Sequence, residues 1–167
     1  MRVLAIDPSL RGTGYAVLEK TGATIRSLEF GVIKNSAAML PSGCLVKIHE
    51  KIADLIVRHQ PESAAIEAVI YVQSYRTAIT LGAARGASLL ALAQHGLPIY
   101  EYAPRRVKQA VVGRGGAAKN QVGFMVRALL GLTENPPADA ADAIAVGLTH
   151  FQTHGSAARG TSMIERI

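Results

Sequence analysis

The chain has 167 residues, 49% of them hydrophobic and 18% charged, with a formal net charge of +6. That length holds one domain with a substantial core rather than two, and the balance excludes a disordered or fibrous chain. The positive excess points to an anionic partner, nucleic acid first, and no Lys/Arg block concentrates it in a tail. Cys44 is the only cysteine. An intrachain disulfide and a multi-cysteine zinc site are therefore excluded, and a reducing cytoplasm is the expected setting. No basic leader followed by an apolar run opens the sequence, and no uninterrupted apolar stretch reaches about 18 residues, so neither a signal peptide nor a membrane span is expected.

Arg2 to Asp7 is a short apolar run closed by Pro8 and predicts a buried strand. Ser9 to Gly14 reads as a turn of small residues, and Tyr15 to Glu19 as the returning strand. A third strand is expected within Thr24 to Lys34, on Ile25, Leu28, Phe30, Val32 and Ile33, completing an antiparallel meander. After Pro41, Leu45, Ile48, Ile52, Leu55 and Ile56 recur at helical spacing until Pro61. Ala64 to Glu67 predicts another buried strand that, like the first, ends on an acidic residue. Ser74 to His95 predicts a helix in which Gly82, Ala83, Ala84, Gly86 and Ala87 permit close packing. Pro98 to Tyr102 reads as a fifth strand, and helices are expected over Pro104 to Val112, Lys119 to Leu130 and Ala138 to Thr149. Strands four and five follow helical crossovers and should run parallel to the first. The expected fold is α/β, with one domain over 1–155, a mixed five-stranded sheet flanked by helices, and a mobile tail over 156–167.

Asp7 and Glu67 close the first and fourth strands, and ligands bind at the carboxyl ends of strands in such sheets. If those strands are neighbours, the two carboxylates repel each other unless a cation or a proton sits between them. Asp139 and Asp142 lie three apart at the start of an Ala-rich helix, so they share a face. Helix capping and the helix dipole would favour the same residues there. The run ADAADAIAVG nevertheless lets that helix approach a sheet closely enough to carry both aspartates to Asp7 and Glu67. An all-oxygen cluster suits Mg²⁺ or Mn²⁺ and not zinc. Two such ions about 4 Å apart can clamp the attacking and leaving oxygens of a phosphodiester. Arg105, Arg106, Lys108, Arg114 and Lys119, grouped around Gly113, Gly115 and Gly116, are the candidate cations for a DNA backbone.

With these residues in place, the chain resembles the RuvC-type Holliday junction resolvases, the crossover junction endodeoxyribonucleases. The resemblance rests on IDPSLRGTGYAVLE, AIEAV, LGAARG, YEYAPRRVKQAVVGRGGAAKNQV and ADAADAIAVGLTH, which together cover nearly the whole chain. It implies a ribonuclease H-like fold and a homodimer with two active sites. Each site would use two Mg²⁺ ions, Mn²⁺ substituting, to nick opposite strands of four-way junction DNA. It also implies cooperation with the RuvA–RuvB branch-migration complex. Asp7, Glu67 and Asp142 match the family's fixed acidic positions, and Asp139 a position that carries Asp or His. Lys108 and Lys119 match basic residues near the scissile phosphate. Ser9 replaces a glycine, Ala68 replaces a common Gln, and Ile70, followed by Tyr71, stands where an aromatic wedge is common. Junction opening therefore falls to Ile70 or Tyr71.

Three other readings share parts of the pattern. A different nuclease of the same fold would carry the same carboxylates but not the full run of blocks. An actin- or sugar-kinase-type ATP-binding fold has a similar first hairpin but needs two such domains. A junction-binding module without catalysis would lack a carboxylate, and all four are present.

Overall fold

The computed structural model describes residues 1–69, 74–156 and 165–167. Strands β1 (Arg2–Asp7), β2 (Gly12–Thr21) and β3 (Thr24–Lys34) form the antiparallel meander. Helix α1 (Pro41–His59) leads to β4 (Ser63–Glu67), and α2 (Tyr75–Gln94) leads to β5 (Ile99–Tyr102), both parallel additions. Helices α3 (Pro104–Val112), α4 (Lys119–Leu130) and α5 (Ala138–Ser156) follow. The sheet order is β3-β2-β1-β4-β5-β6, where β6 is Glu165–Arg166.

Alternation along the strands sorts the core into two layers. Val3, Ala5, Ala16, Leu18 and Ala65 face one side, against Ile144, Leu148 and Phe151 of α5, with Val107 of α3 and Val122 and Val126 of α4. Leu4, Ile6, Val17 and Ile66 face the other, against Ile48, Ile52 and Leu55 of α1 and Leu92 of α2. Helix boundaries follow local chemistry. Pro41 occupies the first turn of α1, and Gln60 closes it in the left-handed region at φ 46° just before Pro61. Ser74 caps α2, its hydroxyl accepting from the Thr77 N–H at 3.2 Å. Among the described residues no helix is long and apolar enough to cross a membrane.

Two expectations need correction, and the expected five-stranded mixed sheet gains a short edge strand. The second strand begins at Gly12, not Tyr15, because Asp7 pairs with Gly14, and pairing outweighs the low strand propensity of Gly12, Thr13 and Gly14. Helix α5 runs seven residues beyond Thr149, since Phe151 and Thr153 remain buried and the Thr153 hydroxyl donates to the Thr149 carbonyl at 2.8 Å. The sheet has a sixth, two-residue strand, as Tyr100 pairs with Arg166 and the Ile167 N–H donates to the Ile99 carbonyl at 3.1 Å. The remainder of the expected tail, 157–164, lies outside the described residues.

The imidazole of buried His150 ties α5 to the sheet, within 3.1 Å of the Ser63 hydroxyl and 2.8 Å of the Tyr102 hydroxyl. Burial pushes its pKa down to about 3, so it remains neutral. Above it, Gly147 lies so close to the sheet that a Cβ there would stand 2.7 Å from Leu18 Cδ1 and 3.1 Å from the Ala5 Cβ. Gly147→Val is therefore expected to destabilise the fold by roughly 1–3 kcal/mol through overpacking, read as a lower urea midpoint. A midpoint equal to wild type would show that α5 can move away without cost.

Candidate active site

β1 and β4 run side by side with Ile6 opposite Ile66, which places Asp7 and Glu67 as neighbours at the carboxyl end of the sheet. Strand spacing of about 4.8 Å sets their separation at the backbone. Both are largely withdrawn from water, and burial is the main reason that both carboxyls sit above the usual carboxylate range. The charges of Glu67 and Asp142 add to it at Asp7 and that of Asp142 adds to it at Glu67, whereas hydrogen bonding with Asp7 pulls Glu67 back down. A shared proton thus offsets part of the repulsion.

Helix α5 brings the other two acids. Gly14 in β2, opposite Asp7, has no Cβ, and one there would overlap the Asp139 carbonyl oxygen. A Cβ on Gly12 would lie 2.8 Å from Asp139 Oδ2. The first turn of α5 therefore rests directly on the sheet, with Asp139 against Gly12 and Asp142 one turn on, near Asp7 and Glu67. Lys119, at the start of α4, reaches into the same space and bonds Asp142 Oδ2 at 3.2 Å, which raises the lysine pKa.

Asp7, Glu67, Val69, Leu81, Pro104 and Arg105 line a cleft of about 400 Å³. Arg105 and Lys108 belong to α3, which starts at Pro104 directly after β5, and the charge of Lys108 reaches Glu67. The glycine-rich loop after α3 packs back on that helix start, because Gly115 leaves room beside the Arg105 carbonyl. Arg114 lies exposed in the same loop. Arg106 differs from its neighbours: its guanidinium lies over the Tyr102 ring and donates to the Thr153 hydroxyl at 3.3 Å. Ile70 and Tyr71 lie outside the described residues. Leu81 in the cleft wall, and the two glycines under Asp139, were not singled out from the sequence; the Gly-Thr-Gly spacing after Asp7 is the signal that marks the glycines.

Among the described residues, no group of three or more His, Cys, Asp or Glu side chains is close enough as it stands to hold a metal ion. The donor set nonetheless fits a hard divalent cation. It is all oxygen, it is shielded from water, and its excess charge is met by a shared proton and by Lys119, both of which a cation can replace.

The profile of the crossover junction endodeoxyribonuclease RuvC family matches residues 3–150. The chain belongs to the RuvC family. The curated RuvC of Akkermansia muciniphila is 53% identical over 151 residues, covering 90% of each chain. The structure of T. thermophilus RuvC in complex with Holliday junction substrate superposes with a TM-score of 0.88 at 35% identity. It covers 100% of this chain and 99% of that one. A second structure, Thermus thermophilus RuvC, gives 0.84 at 37% identity with full coverage of both chains. The ribonuclease H-like α/β fold, with its mixed sheet flanked by helices, is the fold of these relatives.

The raised carboxyls give this RuvC-family chain a pH signature. Asp7 and Glu67 hold their protons to higher pH when folded than when unfolded. The pair therefore favours the fold most below about pH 4, and that contribution falls as pH rises through the raised values. With metal chelated, the stability of wild type relative to Asp7→Asn should decline from about pH 4 to alkaline pH, and added Mg²⁺ should reverse the decline. Urea midpoints across pH measure this. A difference that does not change with pH would remove the shared proton from the account.

Proposed function

We propose that this chain is a structure-selective endonuclease that resolves Holliday junctions by symmetric, metal-dependent nicking during recombination and repair. The observation that carries this reading is the convergence of carboxylates from β1, β4 and α5 beside a cationic rim. The family membership supports the same conclusion. Asp7, Glu67 and Asp142, with Asp139 beside them, are the residues that would hold divalent ions, two Mg²⁺ per site with Mn²⁺ able to substitute. Such ions, when bound, supply a water acidic enough to attack phosphorus and offset charge on the leaving 3′ oxygen.

The chain's own residues do the rest. Lys119 and Lys108 stand where negative phosphate charge would accumulate, and Lys119 can exchange Asp142 for a phosphate oxygen. Arg105 lies at the cleft, and Arg114 on the glycine-rich loop offers a further grip on the backbone. Arg106, held by Tyr102 and Thr153, is better suited to fixing α3 than to binding DNA alone. Val69 and Leu81 give the cleft an apolar wall. Ile70 or Tyr71 is the proposed wedge that keeps the crossover open. A homodimer would present two such sites to opposite strands, working with the RuvA–RuvB branch-migration complex.

Incubation with a mobile four-way junction and Mg²⁺ tests this reading, with paired symmetric nicks expected and linear duplex left intact. Glu67→Gln should reduce cleavage at least 100-fold while junction affinity stays near wild type, because it removes an oxygen donor and no backbone cation. Wild-type cleavage by Glu67→Gln would remove Glu67 from the reaction.

A further inference from the structure

Cations flank the carboxylates on two sides, and only one side has a role so far. Arg105 and Lys108 follow β5, to one side of β1 and β4 in the sheet order. To the other side lie Arg11 in the β1–β2 turn, Lys34 at the end of β3 and Lys47 in α1. Lys34 pairs with Gly12, the glycine on which the Asp139 carboxylate rests. β3 stands two strand spacings, about 10 Å, from β1.

Arg11 is exposed, yet its guanidinium is fixed. A single nitrogen, Nη1, donates to the Ser36 carbonyl at 2.5 Å, the Met39 carbonyl at 2.9 Å and Cys44 Sγ at 3.2 Å. The turn that carries it is braced as well. The Asn35 N–H donates to the Arg11 carbonyl at 3.0 Å, and the Asn35 side-chain amide donates to the Leu10 carbonyl at 2.8 Å. The other guanidinium nitrogens of Arg11 have no partner among the described residues. An arginine held in this way has already given up its rotamer freedom and still presents free donors.

The two lysines complete the pattern. Lys47 Nζ donates to the Lys34 carbonyl at 2.7 Å, which fastens the first half of α1 to the end of β3. Neither lysine has an ion pair among the described residues; Glu50 lines the same groove without pairing to either. Farther along α1, away from the carboxylates, the cations are neutralised. Lys51 pairs with Glu29 and Asp54, and Arg58 bonds Glu29 at 2.6 Å and Asp54 at 2.9 Å. Among the described cations of α1, the one without an ion pair is thus Lys47, at the end of the sheet that carries the site.

We propose that Arg11, Lys34 and Lys47 form a second phosphate-binding ridge, which grips the backbone of a duplex junction arm leaving the cleft toward β3. The assignment rests on the junction-nuclease reading above. A four-way junction sends duplex away from each crossover on more than one side, and the α3 rim can hold only the side that faces β5. The ligand class is the sugar–phosphate backbone, read without regard to sequence.

Arg11→Gln would also remove the brace on the 36–39 loop, so the exposed lysines carry the test. A double variant, Lys34→Gln with Lys47→Gln, is titrated over salt against a four-way junction with long arms. The same titration is run on a junction whose arms are trimmed close to the crossover. On the long-armed junction the slope of log K against log salt should shrink by about 0.9 for each phosphate that the variant no longer neutralises. On the trimmed junction it should stay unchanged. Lys34→Arg with Lys47→Arg should keep the wild-type slope. An unchanged slope on long arms, or an equal decrease on both junctions, overturns the ridge. A wild-type protein with no preference for the junction over linear duplex overturns the functional reading itself, and the arm assignment with it.

Discussion

Helix α5 touches β1 and β2 at positions where the sheet or the helix lacks a Cβ, and the acidic site is assembled by that contact. Gly14 accepts the Asp139 backbone, Gly12 its carboxylate, and Gly147 lets the later turns settle on Leu18 and Ala5. At the spacing usual for packed layers, about 10 Å, Asp139 and Asp142 would be out of reach of Asp7 and Glu67. The same contact makes the site demanding to build. A side chain at Gly14 would act on backbone atoms that cannot rotate aside, so it would lift the helix start as a whole. Positioning of the clustered acids and packing of the main core are therefore one mechanical problem, solved by three glycines.

The approach has an electrostatic cost that the described residues meet in two ways. Asp7 shares a proton with Glu67, and Asp142 borrows Lys119 from α4. Neither arrangement is suited to be permanent. A divalent cation would displace the proton, and a lysine with most of its side chain exposed would give up one carboxylate oxygen for another anion at little cost. The site is thus held in a state that a divalent ion and a phosphate can each displace, the ion from the carboxylates and the phosphate from the lysine.

Much of this was legible in the sequence because it rests on short-range patterns. Alternating apolar residues marked the strands, Pro41 and Pro61 bracketed α1, and Asp7 and Glu67 were conspicuous as charges ending apolar runs. What escaped depends on contacts between distant segments. Nothing local says that Gly12 to Gly14 extends a strand; that follows from its partner Asp7. Nothing in the 119–130 segment shows that Lys119 faces Asp142, twenty-three residues on. Arg105 and Arg106 are adjacent and looked equivalent, yet helical geometry sends them to different neighbours, one to the cleft and one to Tyr102 and Thr153. The two-residue strand β6 is too short to carry a periodic signal, and only its bonds to β5 identify it.

The distribution of charge shows how a chain with twelve acidic residues and a net charge of only +6 can still present unpaired cations at one edge. At the opposite end of the sheet, where β1 begins, Arg2 bonds Glu19 at 2.7 Å and Arg26 bonds the same carboxylate at 2.5 Å. Along α1, Glu29 and Asp54 take up Lys51 and Arg58, and against α2, Glu101 takes up Arg85 at 2.7 Å. These acids stand away from the site and cancel cations that stand away from it. Surface pairs of this kind add little stability, a fraction of a kcal/mol each, so their main effect is on the field. Among the described residues, the cations around the cleft that have no ion pair include Arg105 and Lys108 on the β5 side and Arg11, Lys34 and Lys47 on the β3 side, while Lys20 and Arg127 lack an ion pair elsewhere. A polyanion approaching at physiological salt feels charge over about 8 Å. It would therefore be drawn to the edge where the carboxylates lie, although that edge also carries Asp7, Glu67, Asp139 and Asp142. The cluster is tolerable to DNA only because it is recessed between two positive flanks and already partly neutralised from within.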